Sequence, residues 1–203
     1  VRRFVLIGQT AFGSSDFSLE DLPGSSGRLD VLLRALRAAL LVSHGLRRDV
    51  LVYLVLRGDV GNSRLLRVDG SNAKYLRPDE RSLATLLRKT LAAAPSPCPS
   101  FVELRPGLAL RDGDLADVLA ETAGAACFVL HEAGLDLREP HLLGDDDAWF
   151  FIGDHLGFDV VSLALLDRHG CQRLSVGPLS LHSDDVVALL HNELDRRFVA
   201  AAR

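Results

Sequence analysis

Apolar positions fall along this chain in two kinds of block. Short unbroken apolar runs recur at residues 4–7, 50–56, 127–130 and 149–152. Runs of that length with no polar interruption predict strands buried on both faces. Between them lie stretches with helical periodicity. Leu29, Leu32, Leu33, Leu36 and Leu40 form one apolar stripe, with Asp30, Arg34 and Arg37 on its polar flank. Pro78-Asp79-Glu80-Arg81 opens a second helix, which carries Leu83, Leu86, Leu87 and Leu91. Proline and acids stand there where a helix start favours them. Residues 114–122 and 160–166 predict shorter helices. Residues 183–198 predict a closing helix, with Ser183 as N-cap, Asp184 and Asp185 in the first turn, and Arg196 and Arg197 near the end. Residues 65–68 predict a hairpin partner for 50–56, and 172–175 a short strand. Strands alternating with helices predict an α/β fold with a mostly parallel sheet.

Two segments break the pattern. Residues 8–27 are rich in Gly, Ser and Asp and predict a long loop. Residues 94–100, Ala-Pro-Ser-Pro-Cys-Pro-Ser, resemble a linker. Lobes on either side of it would each be small, so a loop inside one continuous domain is expected. Composition adds bounds. With 48% hydrophobic and 25% charged residues, 203 residues support a packed core. A net charge of −4 argues against a broadly basic nucleic-acid coat but leaves room for a local patch. Its positive charge is nearly all arginine, which grips phosphate bidentately and stacks on bases. Cys98, Cys127 and Cys171 are far apart, with no metal-ligand spacing. A metal site and a disulfide framework are not expected, and the reducing cytoplasm is the expected compartment. The first apolar run is too short for a signal peptide core, and no run reaches membrane-spanning length.

The candidate chemistry sits where strands end. The 149–152 run stops at Gly153-Asp154-His155-Leu156-Gly157. The 172–175 strand leads into Gly177-Pro178-Leu179-Ser180-Leu181-His182, and the 127–130 run into His131-Glu132-Ala133-Gly134. Ligands of parallel sheets bind beyond the carboxyl ends of strands, and glycine there permits close backbone approach. Three such ends suit a nucleoside-like ligand held by backbone amides and apolar walls. Each alone reads better as an ordinary turn.

Several ordered segments carry a resemblance. Asp21-Leu22-Pro23-Gly24-Ser25-Ser26-Gly27-Arg28-Leu29-Asp30 comes first, then Ser43-His44, Arg47-Arg48-Asp49 and Pro78-Asp79-Glu80-Arg81. Phe151-Ile152-Gly153-Asp154-His155, Pro178-Leu179-Ser180-Leu181-His182 and His191-Asn192-Glu193-Leu194-Asp195 follow. Together they resemble the archaeal-type tRNA pseudouridine N1-methyltransferases, the TrmY family of the SPOUT class, over nearly the whole chain. The resemblance implies one SPOUT domain over residues 1–203, with a Rossmann-like sheet and a C-terminal trefoil knot at about 126–201. It implies S-adenosylmethionine as cofactor, tRNA as substrate, and a homodimer joined through the closing helix and the first long helix. The implied cofactor residues are Leu130, Gly153, Asp154, His155, Val176, Gly177, Pro178, Leu179, Ser180 and Leu181. The implied catalytic residues are Asp30, Arg28 and Asp21. Asp30 or Asp21 would accept a proton or bond a base edge, and Arg28 would stabilise charge on the ring. His155 and His182 are alternative proton acceptors. Arg28, Arg34, Arg37, Arg47 and Arg48 are the expected RNA contacts. Helix capping by Ser25 or Ser26, and a solvated helix face, are the competing structural roles. Val186 stands where the family often carries a cysteine. The departure keeps a non-catalytic RNA-binding homologue open, beside methylation of another RNA such as a ribosomal uridine or pseudouridine.

Overall fold

The apolar runs occupy the middle of an eight-stranded sheet. The computed structural model describes residues 1–59, 61–122, 124–139 and 147–201. The first half of the chain runs β1 (Arg2–Gly8), α1 (Leu22–Ser25), α2 (Leu29–Leu40), β2 (Leu41–Val42), β3 (Gly45–Leu46), β4 (Val50–Leu56) and β5 (Arg64–Asp69). Next come α3 (Glu80–Ala92), β6 (Val102–Arg105), β7 (Leu108–Asp112) and α4 (Leu115–Ala120). The rest is β8 (Ala126–Asp136), β9 (Ala148–Gly153), α5 (Val160–Arg168), β10 (Gln172–Ser175) and α6 (Ser183–Ala201).

Strand order is β10-β8-β9-β1-β4-β5-β7-β6. The pairings from β10 through β4 are parallel, and those from β4 through β6 are antiparallel. The sheet is thus mostly parallel, as the alternation of elements predicts. Burial explains the order. In β1 and β9 successive residues enter opposite cores. Phe4, Leu6, Phe150 and Ile152 meet α2, α3 and α6, while Val5, Ile7, Trp149 and Phe151 meet α4 and α5. Helices on both faces leave no solvated side, so residues 4–7 of β1 and 149–152 of β9 are apolar throughout.

The stripe of α2 is spent inside the chain. Leu29, Leu32, Leu33, Leu36 and Leu40 are at most 1% exposed and share one core with Val187 and Leu190 of α6. This corrects the expectation that the two helices offer their stripes to a second subunit, since they pack on each other. His191 of α6 fastens the pair. Its Nε2 donates to the Ala39 carbonyl at 3.0 Å, and its Nδ1 accepts from Arg2 at 3.0 Å. Burial, then the nearby Arg47 and Arg2 cations, push its pKa down to about 4.

Other differences have local causes. The loop after β1 contains one helical turn, α1, capped by Asp21, whose carboxylate accepts from the Gly24 amide at 3.1 Å. Residues 102–112 form the hairpin β6–β7, which no apolar run announced because β6 is a half-exposed edge strand. The linker-like segment is stitched to β7, with the Cys98 amide donating to Asp112 at 2.6 Å. Ser183 is the first residue of α6, and its hydroxyl donates to the Gly153 carbonyl at 2.7 Å. Among the described residues no helix is long and apolar enough to cross a membrane.

Candidate functional site

The carboxyl ends of β9 and β10 and the middle of β8 converge on a cavity of about 870 Å³. Its size lies within the range of small-ligand and cofactor sites. Leu130, Ile152, Leu156, Val176, Leu179 and Leu181 give it apolar walls. Gly153, Asp154, His155, Gly177 and Ser180 also line it, while Pro178 does not. Arg28, Val31 and Arg34, from the opposite half of the sequence, close another side.

The β8 contribution arises from a break in pairing. Val129 pairs with Arg173, but the next β10 residue, Leu174, pairs with Leu135. Residues 130–134 therefore leave the ladder as an excursion, which carries Leu130, His131 and Glu132 to the cavity. A bulge next to a site re-aims side chains in this way. The apolar run ends at 130, but the strand resumes and runs to Asp136.

Asp154 holds the floor. Its buried carboxylate accepts from the Gln9 amide at 2.8 Å and from the Leu156 amide at 2.8 Å. It thereby joins the ends of β1 and β9 and shapes the 154–157 turn. Gly153 is required by that turn. A Cβ there would lie 2.6 Å from the Gly157 carbonyl carbon and 2.8 Å from its Cα. The close approach is thus between two stretches of backbone, where ligand contact had been the expected reason for glycine.

Arg28 is positioned in an unusual way. It precedes α2 in a left-handed conformation, φ 67°, rare for a residue with a side chain. Its Nε and Nη2 bond the two Asp30 oxygens at 3.0 and 3.2 Å. Arg34 bonds the same carboxylate at 3.0 Å and reaches Glu80 at 3.4 Å. Asp30 is only 2% exposed. Burial pushes its pKa up, but hydrogen bonds from Arg28 and Arg34 outweigh this and hold it below the ordinary carboxylate value. The hydrogen bond and charge of Asp30, with Asp154 adding its charge, push the Arg28 pKa up. The site therefore presents a fixed cation, and its buried carboxylate is a poor proton acceptor.

The remaining expectations divide. Arg34 lines the cavity, and Arg37 is exposed on α2. Arg47 and Arg48 lie at the opposite end of the strands, just before β4. Arg47 bonds Asp195 at 2.6 and 3.1 Å, and Asp195 also takes Arg2, at the start of β1. Arg48 is held by the carbonyls of Gly70, Ser71 and Ala73. The cavity lies past the other end of β1, roughly 20 Å along a seven-residue strand. These two arginines hold the fold together there, which corrects their place among RNA contacts. Asp21 caps α1 and does not line the cavity. Ser26 accepts from the Leu29 amide at 3.1 Å and donates to the Leu22 carbonyl at 2.6 Å, so it has the structural role. Val186 lines the wall at the start of α6.

Several wall residues had no sequence signal of their own. Phe158 and Leu163 arrive through the turn into α5, while Asp184 and Asp185 arrive through the first turn of α6. The helix dipole favours these acids at the start of α6, and the cavity gives them a second role. They face the same space as Arg28 and Arg34, so the cavity has a cationic and an acidic side. Among the described residues no group of three or more His, Cys, Asp or Glu side chains could hold a metal ion.

Residues 1–199 match the model of a family described as SAM-dependent RNA methyltransferase. The tRNA (pseudouridine(54)-N(1))-methyltransferase of Methanococcoides burtonii is 40% identical over 200 residues, covering 97% of this chain and 96% of the relative. Its counterpart in Methanosarcina acetivorans is 42% identical over 200 residues, covering 97% and 92%. The crystal structure of Archaeoglobus fulgidus Nep1 bound to S-adenosylhomocysteine shares the fold, with a TM-score of 0.67 at 18% identity. That match covers 96% of this chain and 97% of Nep1.

Proposed function

This chain belongs to the SAM-dependent RNA methyltransferase family, and we propose that it methylates N1 of a pseudouridine in tRNA, position 54 in its archaeal relatives. One observation carries the reading: the apolar strand-end walls and the Asp30-held Arg28 face a common cavity. The two halves of a transfer site, for donor and for acceptor, thus lie side by side.

The residues fit S-adenosylmethionine. Leu130, Leu179 and Leu181 give apolar surface for an adenine, with Gly177 backbone between them. A Cβ at Gly177 would meet nothing within 4 Å, so this stretch is open to a ligand. Glu132, Asp184 and Asp185 supply negative charge for a cationic ligand. When bound, S-adenosylmethionine supplies an electrophilic methyl group. The chain's own residues do the rest. Arg28 stabilises negative charge that develops on the pseudouridine carbonyls as N1 loses its proton. Asp30 is a positioning residue that keeps Arg28 in its strained conformation and cationic. His155, His182 and the three acids stand in the cavity wall, within the space where the N1 proton must be taken up. Alignment of the two reactants supplies much of the acceleration.

The reading extends to topology and assembly. Residues from about 126 to 201 form the SPOUT trefoil knot within one methyltransferase domain. Support comes from the return of α6 across the chain to α2, with its first residue bonded to the end of β9. A second copy covers the apolar residues left exposed around the cavity mouth. Leu156 is 60%, Val160 83%, Val161 75% and Leu179 71% exposed. Such a patch marks an interaction surface. Arg28, Arg34 and Arg37 guide the RNA. The test is incubation of the protein with labelled S-adenosylmethionine and total tRNA. Label should enter tRNA, and an Arg28→Ala variant should bind S-adenosylhomocysteine yet transfer little. Absence of label with wild-type protein would overturn the reading.

A further inference from the structure

We propose that Cys127 and Cys171 form a reversible disulfide site, oxidised by a hydroperoxide that reaches Cys127 through a second cavity at the amino ends of β8 and β10. Phe128 of β8 pairs in parallel register with Gln172 of β10. The cysteines immediately before them are therefore neighbours across the two strands. Both pack into the apolar cluster on the α4–α5 face, so both side chains leave the sheet on the same side. Neighbouring strands stand about 4.8 Å apart, within the Cα separation that a disulfide spans.

Access and asymmetry follow from the surroundings. A cavity of about 400 Å³ is lined by Cys127, Phe128, His169, Gly170 and Gln172, with residues 124–126. Cys127 and Cys171 are each 8% exposed, whereas Cys98 is 0% exposed and its thiol faces the Ser100 and Leu110 carbonyls. His169 and Thr122 are joined at 2.7 Å beside the pair. The Cys127 thiol donates to the Ala125 carbonyl at 3.4 Å; the neighbouring Cys171 lowers the Cys127 pKa, while Cys127 and burial raise that of Cys171. Cys127 lines the cavity and Cys171 does not, so Cys127 is the attacking thiol and Cys171 the resolving one.

The chemistry balances in two steps. The Cys127 sulfur attacks one peroxide oxygen, a sulfur–oxygen bond forms, and the oxygen–oxygen bond breaks with release of an alcohol or water. Cys127 is then a sulfenic acid, oxidised by two electrons, and the peroxide is reduced by two. The Cys171 sulfur next attacks the Cys127 sulfur, a disulfide forms, and water leaves with the thiol proton. A dithiol reductant reverses the bond by exchange. The bond would clamp β8 and β10 just ahead of the 130–134 excursion that feeds the main cavity.

The experiment treats the folded protein with hydrogen peroxide, alkylates it in denaturant and maps the peptides by mass spectrometry. The expected result is a 127–171 cross-link that dithiothreitol reverses, with Cys98 alone of the three cysteines alkylated. The Cys171→Ser variant should stop at a sulfenic acid on Cys127, captured by a diketone probe, and Cys98→Ala should cross-link like wild type. Three alkylated cysteines after peroxide, or a cross-link through Cys98 or between chains, would overturn the proposal. The wild-type map decides the matter even if a serine variant fails to fold.

Discussion

At the scale of the residue, Asp30 and His191 show how partners decide a side chain's chemistry. Asp30 looks like a candidate base in the sequence, but two guanidiniums already hold it ionised and buried. Asp30→Asn should therefore lower methyl transfer by loosening Arg28, and raising the pH should not restore it. A rate that recovers at high pH would make Asp30 the proton acceptor after all. The same change should cost about 2 kcal/mol of stability, because it leaves buried hydrogen-bond donors poorly matched. Arg28→Ala should cut the transfer rate roughly 10²-fold while cofactor affinity stays within a few-fold. An equal loss in both would place Arg28 on the cofactor instead. His191 gives a pH dependence with a definite sign. Folding holds it neutral, because Nδ1 accepts from Arg2 and cannot also carry a proton. Its folded pKa of about 4 lies below the unfolded value, so the unfolded chain binds more protons between the two. This contribution is complete above about pH 6.5 and falls as pH drops towards 4. Urea unfolding at pH 7.5 and pH 5 should differ by about 2 kcal/mol from this residue. His191→Gln should flatten that difference; an unchanged slope would refute the assignment.

At the scale of the element, Gly153 is the sharpest case. Gly153→Val would force the 154–157 turn away from the end of β9, because the new Cβ meets the Gly157 backbone. Cofactor affinity and melting temperature should fall together, as Asp154 loses its amide partners. Calorimetry and thermal unfolding check this, and loss of affinity at an unchanged melting temperature would mean that the glycine faces the ligand. Gly27→Ala should also be destabilising, since φ is 63° and the Cβ would lie 1.7 Å from the Thr10 carbonyl oxygen. The central strands and long helices were legible because their apolar spacing reflects burial on both sides of a sheet. The edge hairpin β6–β7 was not, because a half-exposed strand such as Val-Glu-Leu-Arg has no unbroken apolar signal. The strand-end walls were legible from glycine after apolar runs. The 130–134 excursion was not, because it depends on where β10 resumes pairing, which is a long-range fact. Arg47 and Arg48 read as a basic patch, and only the fold supplies the Asp195 and carbonyl partners that occupy them.

At the scale of the whole molecule, apolar surface left around the cavity mouth points to a partner copy. Sedimentation equilibrium should give twice the 22.0 kDa chain mass. Val161→Asp, on the exposed side of α5, should shift this towards the monomer and lower transfer. A wild-type monomer at tens of micromolar that still transfers methyl groups would contradict the assembly. The central claim is methylation of pseudouridine N1 in tRNA. The most direct measurement uses two tRNA transcripts, one with pseudouridine and one with uridine at the position modified in the archaeal relatives. Each is incubated with the protein and S-adenosylmethionine, digested to nucleosides and read by mass spectrometry. The expected result is N1-methylpseudouridine from the first transcript and no methylated nucleoside from the second. Methylation of the uridine transcript, or of neither, would contradict it.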